Sequence, residues 1–161
     1  MNFREVSFEQ LFAHGQDLFK RHHEEIGLHP TFDGHCVDLA INEKVLRTLD
    51  LTDALVTVAA IHTDEAAMDH LVGYALATVT RLPLANVVVG AGIVLYLAPE
   101  FRHHGAGRDL LRVIAAKLRE RGVEAVHWHA KKGSPFERLL LREGSRELER
   151  IYVLKDTPSD G

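Results

Sequence analysis

The chain switches between two periods of polar and apolar residues, and the switches outline its elements. Residues 2–6 fit a short opening strand. At Ser7 the spacing becomes helical: Ser7 and Gln10 form a Ser-x-x-Gln capping pair, and Phe8, Leu11, Phe12, Leu18 and Phe19 make an apolar stripe running towards Ile26 and Gly27. His29 and Pro30 break that helix. Residues 34–51 carry Val37, Ile41, Val45, Leu46 and Leu49 at helical spacing, which predicts a second helix. Residues 54–62 and 71–80 are apolar and β-branched on either side of a polar turn, the pattern of an antiparallel hairpin. After Pro83, residues 86–89 lead towards the next strand, with Gly90 and Gly92 marking a bulge or bend.

The stretch that organises the rest is 92–121, GIVLYLAPEFRHHGAGRDLLRVIAAKLRER. Its apolar run 93–97 is too short for a helix and rich in strand formers, so a buried strand is expected, stopped by Ala98 and Pro99. Leu110, Leu111, Ile114, Ala115 and Leu118 then share one helix face, and Gly122 ends that helix. A strand over 123–130 follows, and Ser134-Pro135 supplies an N-cap and first residue for a short helix to about Arg142. Residues 147–154 read as a last strand and 156–161 as a frayed tail. The order is mixed α/β (α+β), without repeats or linkers, and predicts a single domain over 1–155.

Between strand and helix lies Arg102-His103-His104-Gly105-Ala106-Gly107. The first N–H groups of a helix lack internal acceptors and carry the positive end of its dipole, so anions bind there. Glycines let the backbone approach a bulky phosphate, and Arg102 and Arg108 add charge at either edge of the turn. A diphosphate is the expected guest.

Composition narrows the partners. The chain has 161 residues, 46% hydrophobic and 26% charged, with a formal net charge of −4, which suits one globular core and argues against a generic nucleic-acid binder. The acidic balance leans towards cationic or amine substrates. Cys36 is the only cysteine, so no internal disulfide forms and no thiolate metal site is expected. No apolar run approaches membrane-spanning length and the start has no leader pattern, so a soluble cytoplasmic protein with no membrane partner is expected.

Strand, Arg-x-x-Gly-x-Gly and helix, with Leu95, Leu97 and Pro99 upstream, resemble the cofactor motif of the GCN5-related N-acetyltransferases (GNAT), and the element order is similar throughout. The surroundings of His22-His23-Glu24-Glu25 and Leu28-His29-Pro30 also look like small acetyltransferases of tailed phages. The resemblance implies the acyl-CoA N-acyltransferase fold, a mixed, mostly antiparallel sheet flanked by helices, and acetyl-CoA as co-substrate with no metal. It implies that pantetheine pairs with main-chain groups of Leu95, Tyr96 and Leu97. It implies diphosphate contacts from Arg102, His103, His104, Gly105, Ala106, Gly107 and Arg108.

The catalytic pattern departs from that family. Ala91 and Ile93 stand where relatives carry a Glu or His base, Leu140 where many carry a Tyr acid, Gly133 where Asn is common and Ser145 where Phe is usual. His127 and His129, alternating on one strand face, are substitute bases or a hydrogen-bonded packing pair. Tyr152 and Tyr96 are candidate acids or packing residues, Trp128 is assigned to the core, and His22 with Glu25 reads as a solvated helix face or a substrate mouth. Direct transfer to an amine is expected rather than an acetyl-cysteine route, because Cys36 is far from the motif. The rival is a catalytically silent acyl-CoA-binding module. Residues 82–89 are a candidate homodimer contact or a strand of the chain's own core.

Overall fold

The computed structural model describes residues 1–26, 29–30, 36–37, 42–82, 86–130 and 132–148. Strand β1, Asn2–Glu5, leads into helix α1, Phe8–His14, through the expected capping box: the Gln10 N–H donates to the Ser7 hydroxyl at 3.1 Å and the Ser7 N–H to the Gln10 side chain at 3.0 Å. The helix expected to continue to Ile26 is divided at Gly15, and α2 runs Gln16–Ile26. Breaking there lets Phe12 and Phe19 meet at 5.9 Å and Phe19 meet Tyr74 edge-on at 5.0 Å, so both helices lie against the sheet.

The second expected helix is shorter than its spacing suggested. Cys36–Val37 is the strand β3, paired antiparallel with β2 at His29–Pro30, and α3 covers Glu43–Leu51 with Asn42 as N-cap. The Asn42 side chain accepts from the Val45 N–H at 3.2 Å, a helix start stronger than the apolar spacing that ran through it.

Strands β4 (Leu55–Thr63) and β5 (Asp69–Arg81) form the expected hairpin, and β6 spans Val88–Leu97. A 3-10 turn at Pro99–Phe101 leads to α4, Ala106–Glu120, then β7, Ala125–Trp128, and α5, Pro135–Arg142. The five-stranded sheet has the order β1-β4-β5-β6-β7, antiparallel throughout except for the parallel β6/β7 pair that α4 connects. This is the mixed, mostly antiparallel sheet with helices that the resemblance implies. The expected last strand, 147–154, falls largely outside the described residues.

Each face of the sheet has its own core. Under α4 lie Val56, Val58, Val72 and Leu97 against Leu110, Ile114 and Leu118; under α1 to α3 lie Leu55, Tyr74, Leu76 and Tyr96 against Phe8, Leu11 and Leu46. Each fully buried aliphatic side chain contributes roughly 1.5–3 kcal/mol, so α4 is fixed firmly to the sheet. Strand β6 therefore enters the motif turn from a rigid base.

Gly92 and Trp128 are paired where β6 and β7 end their contact, and a Cβ on Gly92 would collide with the Trp128 ring. The indole, packed edge-on against Phe136 at 5.4 Å, joins the core beneath α4. Just beyond, Val94 faces Leu76 while Gly92 faces Ala77, which leaves Ile93 as an extra residue in a β-bulge, 49% exposed. The run 93–97 thus begins with a residue turned out of the sheet rather than a buried one.

Among the described residues Thr57 Oγ1 is a buried side-chain oxygen with no hydrogen-bond partner. Because an unmet buried hydroxyl is costly, Thr57→Val is expected to raise unfolding stability by about 1 kcal/mol in urea titration. A loss of stability would mean that the hydroxyl has a partner.

Candidate functional site

The turn ahead of α4 is built from two residues in the left-handed region, His104 at φ 53° and Gly105 at φ 81°. Glycine takes this conformation without steric cost; at His104 the strain is held by the turn, closed by a hydrogen bond from the Ala106 N–H to the His103 carbonyl at 3.2 Å. Gly105 caps α4 with no side-chain hydrogen bond. The N–H groups of Gly107 and Arg108 have no carbonyl within the helix to accept them. The Arg108 guanidinium lies over the same turn, near enough that a Cβ on Gly105 would stand 3.1 Å from its Nη2, with Nε donating to Asp109 at 3.1 Å. His103 and His104 are exposed beside it, their rings edge-on at 4.6 Å.

A second feature runs straight into that turn. The β6/β7 pairing stops at Gly92 and Trp128, whereas β6 continues to Leu97. Among the described residues, no strand pairs with positions 93–97 on that side. The Ala98 N–H donates to the Val72 carbonyl of β5 at 2.9 Å. Alternation along an antiparallel pair then turns the main chain of Tyr96 towards β5 and that of Leu95 and Leu97 to the open edge. Of the three strand residues expected at this edge, two offer main-chain groups to it, and Tyr96 presents its side chain to the α2 face.

That side chain sits in a polar knot the spacing did not foresee. His22 stacks on Tyr96 with centroids 4.3 Å apart, and its Nδ1 shares a 2.6 Å hydrogen bond with the Tyr74 hydroxyl. Burial, with Arg102 nearby, pushes the His22 pKa down to about 4, against the pull of Glu25, and burial raises that of Tyr74. Glu25 accepts from both Nη atoms of Arg102 at 2.5 Å, and Arg102 holds its carboxyl below the usual range. Burial first, then the neighbouring Glu25 charge, raises the Tyr96 pKa.

His22 and Glu25 had read most simply as a solvated face. The missed signal is that they continue the stripe of Leu18 at the fourth and seventh positions, which turns them inward. Their partners at 74, 96 and 102 are too distant in sequence to be inferred.

Half-buried His127 on β7 pairs with Ala91 on β6. Trp128 faces the α4 core, so alternation puts His127 on the opposite face, the one that carries Tyr96. His129 is exposed, just past the end of β7 where the strands part. Leu140 is buried in α5 and brings no polar atom. Tyr152 lies outside the described residues. Among the described residues, no group of three or more metal-binding side chains occurs, and no helix is long and apolar enough to cross a membrane.

Known proteins share this fold. The model of the Acetyltransferase (GNAT) family matches residues 49–140, from the end of α3 into α5. No curated protein matches the sequence. Among solved structures, a predicted acetyltransferase from Clostridium acetobutylicum with acetyl-CoA has a TM-score of 0.69 at 16% identity, covering 95% of this chain and 94% of that one. A ribosomal-protein-alanine N-acetyltransferase from Brucella melitensis biovar Abortus 2308 has a TM-score of 0.65 at 16% identity, covering 96% of this chain and 99% of that one. An aminoglycoside N-acetyltransferase in complex with CoA has a TM-score of 0.66 at 13% identity, covering 97% of this chain and 99% of that one. These likenesses concern the fold.

The His22 shift has a consequence for stability. A histidine whose folded pKa is depressed contributes stability above its unfolded value of 6.5, and that contribution is lost as pH falls towards about 4. Melting temperature is expected to drop over this window, and to drop less in His22→Gln. Equal slopes in the two proteins would show that the ring is not held neutral.

Proposed function

The chain belongs to the GNAT acetyltransferase family and is an acyltransferase, and from that premise we propose that it transfers acetyl from acetyl-CoA to a primary amine by direct attack in a ternary complex. The observation that supports this is the edge of β6 that no strand pairs among the described residues, ending at a glycine-turned helix start without a side-chain cap. An extended pantetheine arm needs main-chain partners, and a diphosphate needs convergent N–H groups; the two lie end to end here.

The residues fit such a guest. Leu95 and Leu97 would pair with the arm through their main chain, and Gly105, Ala106, Gly107 and Arg108 would surround the diphosphate, with His103 and His104 at its rim. When bound, acetyl-CoA supplies the activated thioester. The amine nitrogen attacks its carbonyl carbon, a C–N bond forms and the C–S bond breaks.

His127 takes the amine proton, directly or through water, from the face of the sheet it shares with Tyr96. His129, beyond the end of β7, is the second candidate for that step. The thiolate proton comes from Tyr152 rather than Tyr96. A Tyr96 phenolate would lie beside the Glu25 carboxylate and be repelled by it. The acceptor is an amine of a class left open by the variable loops that build such pockets.

Calorimetry with CoA and thiol release from acetyl-CoA over a panel of primary amines test this. The wild type should give binding heat and turnover, and His127→Ala should lower kcat by about a hundredfold with the KM for acetyl-CoA nearly unchanged. Binding without turnover on any amine would favour a silent acyl-CoA-binding module. Absence of heat with every CoA species would end the proposal.

A further inference from the structure

Arg102 opens the motif, where its charge was expected to serve the diphosphate, but its side chain is directed elsewhere. Nε donates to the Leu97 carbonyl at 2.7 Å, both Nη atoms reach Glu25, and the guanidinium carbon lies 5.4 Å from the centre of the Tyr96 ring. Swinging it to the turn would break all these contacts and strip Glu25 of its cation. A second ion pair runs beside the first: Arg21, one turn earlier on α2, donates to both Glu100 oxygens at 2.7 and 2.9 Å. Between the two pairs His22 stacks on Tyr96. The last turns of α2 are thus strapped to the segment that links β6 to the motif turn.

We propose that Arg102, with Glu25, is a positioning residue that fixes helix α2 against the end of the cofactor strand and so sets the acceptor wall, leaving the diphosphate to main-chain N–H groups and Arg108. Helix α4 closes one face of β6, so an amine reaches a thioester lying on that strand from the face α2 covers. The bond to the Leu97 carbonyl matters because that carbonyl lies on the open edge, so the same guanidinium touches the strand that seats the donor and the helix that bounds the acceptor. This inference rests on the proposed acetyl-CoA site for its functional part.

The test compares wild type, Arg102→Gln, Glu25→Gln and Arg108→Gln. With CoA as probe, calorimetry should show Arg102→Gln and Glu25→Gln within about twofold of the wild-type Kd, and Arg108→Gln weakened about tenfold, with a shallower salt dependence. Amide hydrogen exchange should speed up across Gln16–Ile26 in the first two variants and stay unchanged in α4. In turnover with the best amine of the panel, the same two variants should lose about tenfold in kcat/KM for the amine while keeping the KM for acetyl-CoA.

A loss of CoA affinity in Arg102→Gln equal to that in Arg108→Gln would overturn the assignment. Unchanged exchange in α2, or a full effect of Arg102→Gln with none from Glu25→Gln, would do the same. If the wild type binds no CoA, the acetyl-CoA site itself fails, while exchange in α2 still decides whether the strap exists. Should Arg102→Gln not fold, Glu25→Gln carries the comparison alone.

Discussion

A backbone N–H or C=O in a sheet must have a partner, and the structure is arranged around one place where, among the described residues, β6 lacks a strand neighbour. Strand β6 has β5 along one side for its full length, but on the other side β7 accompanies it only as far as Trp128. The indole filling the space over Gly92 and the bulge at Ile93 both fall where that partnership ends. The remaining main-chain groups, those of Leu95 and the N–H of Leu97, face outwards, while the Leu97 carbonyl is taken by Arg102. Among the described residues, the open edge is thus engaged at its far end and without a partner in its middle.

The two faces of β6 carry different chemistry. Beneath α4 the packing is aliphatic and continuous, which holds the strand, the glycine turn and the helix start in one rigid arrangement. On the α2 face, aliphatic packing gives way near the end of β6 to Tyr74, His22, Tyr96, Glu25 and Arg102, in which a neutral imidazole, two protonated phenols and an ion pair satisfy one another. An anionic phosphate chain suits the exposed, cationic turn, and a neutral amine suits the half-buried polar face. Such a division would let one strand bring a charged donor and an uncharged nucleophile together from opposite directions.

Much of this was legible in the residues because the signals are local. Ser7 with Gln10, Ser134 with Pro135, and Gly105 ahead of the Leu110, Ile114 and Leu118 stripe each fix a boundary within one turn of chain, and each boundary stands as expected. Failures came where a signal was ambiguous or distant. Val37 fits a helical period by chance, because Cys36–Val37 is extended; the stripe from Phe8 to Phe19 gave no reason to stop at Gly15. The link from Glu25 to Arg102 spans most of the sheet in sequence, so no spacing could announce it. The bulge was marked by Gly92 but falls one residue later, because the glycine answers to Trp128 and the register slip to β5.

If CoA pairs with the edge of β6 that no strand covers among the described residues, residue-resolved amide exchange with and without CoA registers it. The Leu95 and Leu97 amides are expected to become protected on addition of CoA, while the Tyr96 amide, turned towards β5, stays unchanged. Protection confined to residues away from β6, with Leu95 and Leu97 exchanging as before in a protein saturated with CoA, would contradict it.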